Sequence, residues 1–147
     1  AMNRSKEGIA VLDKVMANIT EQAYYYDFTA IYVAMAYYRC GAFDKANALT
    51  KKLVKNADDD IAWISNLNEN FKESLYNDVR RDLQGIYMLL QSAQQAGDAN
   101  GTKTLNDKFT QLQKLPIVQL VMQQMQHQVE LSITMQTQHL PHLVFRL

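Results

Sequence analysis

The chain has little of what most specialised sequences depend on. It has one cysteine, two prolines, five glycines and one tryptophan in 147 residues, and its 15 Lys plus Arg are balanced by 15 Asp plus Glu. With Cys40 alone, no disulfide framework can form within the chain, and the low Gly and Pro content excludes collagen-like and low-complexity chains. Zero net charge removes the usual electrostatic case for nucleic acid or anionic lipid as a partner. The opening Ala1-Met2-Asn3-Arg4-Ser5-Lys6-Glu7 leads into an amphipathic segment instead of an export signal. The longest uncharged apolar stretch, Phe28 to Tyr38, is about half of what spans a bilayer. The sequence therefore predicts no direct membrane insertion.

What is present is 48% hydrophobic residues, enough for one packed domain. Gly, Pro and clustered Asn and Asp divide the chain into helix-sized pieces, and strict apolar/polar alternation is nearly absent before residue 129. The predicted class is all-α, with antiparallel hairpins of about six to seven helices. A first helix is expected from Ser5 to Ile19 with Ser5 as its cap, and a second after Asp27, apolar over so much of its circumference that it should sit near the centre. Gly41 ends the second helix, and Asp44 opens a third to about Asn56. Asp58-Asp59-Asp60 is expected to cap a shorter helix carrying Trp63, interrupted at Asn68-Glu69-Asn70. A long helix is then expected from Asn70 to Ala96, with Gly85 marking a close packing contact. After the turn at Gly97-Asp98, Thr102 is expected to cap a helix with Leu105, Phe109 and Leu112 inward.

Residues 1–115 are expected to form this helical-hairpin domain, and residues 116–147 a Gln- and Met-rich helix or tail packed on it. Beyond Lys114 the only charged residues are Glu130 and Arg146. Pro116 at a first helical position, with Ile117, Val121, Met125, Val129 and Ile133 four apart, predicts a helix to about residue 137. Val129, Leu131, Ile133 and Met135 also alternate with polar residues as a strand would. This segment is a candidate for oligomer formation through residues 117–137, because its apolar face has few charges to keep it soluble alone.

No motif nominates an enzyme. There is no glycine-rich phosphate loop, no metalloprotease His-Glu pair and no nucleophile elbow. The Asp58–Asp60 run reads as a helix cap before it reads as a metal cluster, and the stretch from Asp98 to Phe109 fails as a calcium loop because Lys103 and Phe109 stand where Gly and Glu belong. His127, His139 and His142 lack the fourth ligand that a zinc site uses, and Cys40 reads as a buried structural thiol. Lys51, Lys52 and Lys55, and Arg80-Arg81 between Asp78 and Asp82, read as solvated faces. No catalytic residue, metal ligand or cofactor is therefore expected of this stretch; a larger parent protein is a separate question. Three successive aromatics, Tyr24, Tyr25 and Tyr26, cannot all face one core. With Tyr32 and Trp63 they form the candidate interaction surface, suited to a protein or peptide partner.

The run Val33-Ala34-Met35-Ala36-Tyr37-Tyr38-Arg39-Cys40-Gly41-Ala42-Phe43-Asp44-Lys45-Ala46 resembles a tetratricopeptide-type hairpin. Small Ala34 and Ala46 let two helices approach while Tyr37 and Phe43 fill the space around them. The likeness covers Asp27 to Ala57; no Pro ends the unit and no second copy follows at the 34-residue period. More widely, Tyr37-Tyr38-x-x-Gly41, Lys45-Ala46, the acidic run before Ala62-Trp63, Leu67-Asn68 before Phe71, and Gly97-Asp98 resemble the soluble C-terminal region of a bacterial family of multi-spanning membrane proteins. That family is distantly similar to protein O-mannosyltransferases. The resemblance covers residues 1 to about 115 and implies a parent anchored in the inner membrane, with this part on its periplasmic face. It carries over no catalytic residue. The tetratricopeptide-like hairpin together with the lack of a catalytic motif implies, as the expected function, a noncatalytic helical interaction module within a larger protein. The alternative that the resemblance implies is an extracytoplasmic domain of a membrane glycosyltransferase-like protein.

Overall fold

The structure is a computed structural model that describes residues 2–19 and 29–138, with side chains for 5–19 and 29–133. Among these residues it is helical throughout, with no strand: α1 (Met2–Asn18), α2 (Thr29–Arg39), α3 (Phe43–Ser65), α4 (Glu69–Ser74), α5 (Tyr76–Ala96), α6 (Ala99–Leu112) and α7 (Pro116–Gln138). The strand alternative for the segment from Val129 is thereby overturned as far as Gln138, since Gln, Met and Leu favour helix. Residues 139–147 lie outside the described residues.

Two glycines turn the chain. Gly41 (φ +72°) and Gly97 (φ +78°) adopt the left-handed conformation that closes α2 and α5, a geometry that a Cβ disfavours. Each turn folds a helix back on its predecessor, so α2 packs along α3 and α5 along α6. Helix α5 also lies across both α2 and α3, and α7 rests on α5 while α1 rests on α2. Helix α5 touches the widest set of neighbours, and α2, expected near the centre, is packed against α1, α3 and α5. Residues Val79, Leu83, Ile86, Leu89, Leu90 and Ala93 of α5 are buried, as are Ala30, Val33, Ala34, Tyr37 and Tyr38 of α2, and each helix leaves one tyrosine in solvent, Tyr87 and Tyr32. Gly85 marks the close approach of α5 to α2: a Cβ there would stand 2.7 Å from Ile31 Cδ1.

Several boundaries differ from expectation, each for a packing reason. α1 begins at Met2, so Ser5 lies inside it and caps nothing. α3 runs unbroken through Asp58-Asp59-Asp60, because Ala46, Leu49, Leu53, Ala57, Ile61 and Ile64 form one continuous buried stripe that a cap at residue 58 would interrupt. The acidic side chains sit outside that stripe: Asp58 pairs with Lys108 of α6 at 2.7 Å and Asp59 pairs with Lys55. The expected long helix from Asn70 is divided at Leu75 into α4 and α5. Asn68 caps α4 by accepting from the Asn70 amide at 3.0 Å. α6 opens at Ala99, and its cap is Asp98, four residues before the expected Thr102; the Asp98 carboxylate accepts from the Gly101 amide at 3.0 Å.

Candidate interaction surface

Two polar clusters tie the helices together, one largely buried and one at the surface. In the first, the Tyr38 hydroxyl donates to Asn47 Oδ1 at 2.7 Å, and Asn47 Nδ2 donates to Asp98 Oδ2 at 2.7 Å. This joins the α2–α3 hairpin to the α5–α6 corner through groups removed from water. Burial pushes the Tyr38 phenol up, opposed by its contact with Thr50, so it remains a neutral donor. In the second, Asp13 of α1 accepts from Lys45 of α3 and from the Tyr37 hydroxyl, the latter at 2.8 Å. The Lys45 and Tyr37 hydrogen bonds hold the Asp13 carboxyl below the usual carboxylate range. The hydrogen bonds in both clusters run between helices, so the clusters fasten α1, α2, α3 and the α5–α6 corner to one another.

Asp82 is different. The quartet Asp78, Arg80, Arg81 and Asp82 reads in sequence as a solvated face, yet Arg80 Nε and Asp82 Oδ2 are buried with no hydrogen-bond partner among the described residues. Arg81 reaches Asp82 at 3.9 Å and is itself engaged by Asp78 at 3.0 Å. Burial, helped by nearby Asp60 and Asp78, raises the Asp82 carboxyl to about 7 against the attraction of Arg81. The sequence did contain a signal for this. Val79, Asp82, Ile86, Leu89 and Ala93 recur at spacings of three and four, placing Asp82 on the inward face.

The remaining chemistry-bearing groups do not converge. Among the described residues no group of three or more His, Cys, Asp or Glu is placed to hold a metal ion. His127 is exposed on α7, and His139 and His142 lie outside the described residues. Cys40 is half-buried and not fully buried as expected, because it lies in the turn after α2, where α1 covers it from one side: a Cβ on Gly8 would approach its Sγ to 3.2 Å. Lys51, Lys52 and Lys55 are exposed, as a solvated face requires.

Of the five candidate surface residues, Tyr24, Tyr25 and Tyr26 lie outside the described residues. Tyr32 on α2 is 57% exposed and Trp63 near the end of α3 is 60% exposed. The two do not form one patch. The Tyr38–Asn47 contact sets the antiparallel register of α2 on α3, and Trp63 falls about ten residues, or roughly 15 Å, beyond the level of Tyr32. Two further aromatics lie on the outside: Phe71 on α4 is 64% exposed, and Tyr87 on α5 is exposed beside Phe109, 6.1 Å between ring centroids. Phe71 faces water because the division at Leu75 takes α4 out of the α5 stripe. Trp63 and Phe71 flank the α3–α4 corner, and Tyr32 stands apart on α2. Among the described residues no helix is long and apolar enough to cross a membrane. Comparison with protein-family models, with curated proteins and with solved structures returned no match to this chain.

Proposed function

We propose that this chain is a noncatalytic helical interaction module of tetratricopeptide-like type, part of a larger protein, that takes a protein or peptide partner. The observation that carries the reading is the set of large aromatic side chains left in water, Tyr32, Trp63, Phe71 and Tyr87, on the helices of the two hairpins and the α3–α4 corner. Trp and Tyr are enriched among the few residues that dominate binding at protein interfaces. The tetratricopeptide-like part of the reading is supported by the packing order. A first hairpin, α2–α3, receives the leading helix of a second, α5, on both of its members, as stacked helical repeats do. Phage-displayed peptides selected against the whole chain test it. The expected peptides carry apolar anchors, and Tyr32→Ala with Trp63→Ala weakens them at least tenfold while helicity and Tm stay unchanged. Selected peptides that bind the doubly substituted chain equally well would place recognition elsewhere and overturn the reading.

A second reading rests on the resemblance to the soluble region of membrane proteins distantly similar to protein O-mannosyltransferases. It makes the module an extracytoplasmic appendage of a glycosyltransferase-like parent, on the periplasmic face of the inner membrane. The residues that carry the resemblance occupy positions that a fold retains for packing: Tyr37, Tyr38 and Ala46 are buried and Gly41 turns the chain. A reading frame whose upstream portion codes for no membrane-spanning helices excludes it.

A further inference from the structure

Helix α7 changes its surroundings partway along without changing its composition. Ile117, Val118 and Val121 are buried where the helix rests on α5, and Met122 is half-buried. From Gln123 to Ile133 every residue is exposed, including Met125, Val129, Leu131 and Ile133. Val118, Met122, Met125 and Val129 succeed one another at spacings of four, three and four, the rhythm of a seam that a second helix covers. The seam starts inside the fold and runs out of it. A helical stretch this short is marginal in water by itself, so a cover contributes directly to its order.

Charge narrows what the cover is. Between Pro116 and Gln138 the one charged side chain is Glu130, and it lies about 100° round the helix from Val129, off the seam. The seam is bordered by Gln126, Gln128 and Ser132. A charged peptide would lose hydration against this strip with nothing to pair its charges. A helix lying in a bilayer interface carries Lys and Arg on its polar face, and α7 has neither. The surface that matches is a second copy of the strip: apolar against apolar, and amide against amide, since each Gln both donates and accepts. An antiparallel arrangement sets Met125 of one copy against Val129 of the other and keeps the two Glu130 carboxylates apart, whereas a parallel one puts them abreast.

We propose that the exposed half of α7 is a self-association surface on which α7 of a second copy of this chain packs antiparallel about a two-fold axis at the level of residue 127. The strip is about 16 Å long, and alone it falls short of the ~800 Å² per partner typical of stable complexes, so the dimer is weak and concentration-dependent. Sedimentation equilibrium of the whole chain from about 5 to 500 μM tests it, over the span in which contacts this small associate. The weight-average mass should rise continuously across this range, from nearer the monomer's toward the dimer's. Met125→Lys with Val129→Lys should weaken association at least tenfold while leaving the circular dichroism of the monomer unchanged, because both side chains are already exposed. In a Cys40→Ser background, a mixture of Met125→Cys and Val129→Cys chains should form the mixed disulfide in preference to either homodimer. A monomer at every concentration, or a dimer indifferent to the two lysines, overturns the proposal. Preferential Met125→Cys homodimers overturn the antiparallel arrangement. Binding of the monomer to uncharged phosphatidylcholine vesicles, lost on the lysine substitutions, assigns the strip to a lipid surface instead.

Discussion

Asp82 occupies a position that the α5 stripe reserves for an apolar residue, and its Oδ2 is buried without a hydrogen-bond partner among the described residues. A carboxyl so placed is easier to bury protonated, which is why it is raised to about 7 from an ordinary 3.8. The folded state therefore holds a proton that the unfolded chain releases near pH 4. Linkage fixes the sign: the stability due to this group is fully present below about pH 4, declines as pH rises toward 7, and is flat above that. Asp82→Asn keeps the shape and removes the titration. It should match the parent chain in urea melts near pH 4 and exceed it by about 1–2 kcal/mol at pH 8, after discounting for solvent near a partly open site. A parent that gains stability through this pH range, with Asp82→Asn the weaker protein at pH 8, would mean that Asp82 folds as an anion paired with Arg81. At this scale the sequence was half legible. The spacing of Val79, Asp82 and Ile86 puts the carboxyl inward, but its neighbours Asp78, Arg80 and Arg81 give the segment the look of a solvated face.

Between elements, the Tyr38–Asn47–Asp98 chain works as one unit with the cap of α6. Asp98 is buried and serves two helices, taking the Gly101 amide on one oxygen and Asn47 on the other. Gly101 is required beside it, because a Cβ there would collide with the Asp98 carboxylate and stand 2.7 Å from Asn47 Oδ1. Asp98→Ala removes the cap and leaves Asn47 Nδ2 without its acceptor, for an expected loss of about 1–3 kcal/mol. Gly101→Ala should cost a similar amount by displacing the same carboxylate. In a double-mutant cycle the pair should cost clearly less than the sum, since the second change disrupts what the first has already removed. Strict additivity would show that the two act on separate structures. The cap was misread as Thr102 because a hydroxyl followed by an apolar period is the ordinary signal, and the Asn47 contact that favours Asp98 comes from 51 residues away. Long-range packing also hid the length of α3, whose stripe passes through three aspartates that locally look like a helix start. The Leu75 division carries no Gly or Pro at all; there Ser74 Oγ donates to the Phe71 carbonyl at 2.7 Å and competes with the helical ladder. The two glycine turns were legible because a positive φ constrains the residue that adopts it, whatever the rest of the fold does.

Taken whole, the molecule is organised around α5, which touches both members of the first hairpin, its own partner α6, and α7. Two hairpins that merely met at their edges would unfold separately. Here the second hairpin's leading helix packs on both members of the first as well as on α6, so loss of α5 uncovers Ile31 of α2 beside Gly85 and opens the core shared by the two hairpins. Amide hydrogen exchange should report this hierarchy at concentrations low enough to keep copies of the chain apart. Protection should be greatest and nearly uniform across α2, α3, α5 and the buried side of α6, lower in α1, which rests chiefly on α2, and least in α7 beyond Met122. Leu83→Ala, at a side chain 4% exposed, should lower protection in all four core helices together by about 2–5 kcal/mol. Val129→Ala, on the exposed part of α7, should leave them untouched. If Leu83→Ala lowered protection in α5 and α6 while α2 and α3 kept theirs, the hairpins would be independent units. The shared core, and with it the reading of the chain as one module with a fixed outer surface, would then fail.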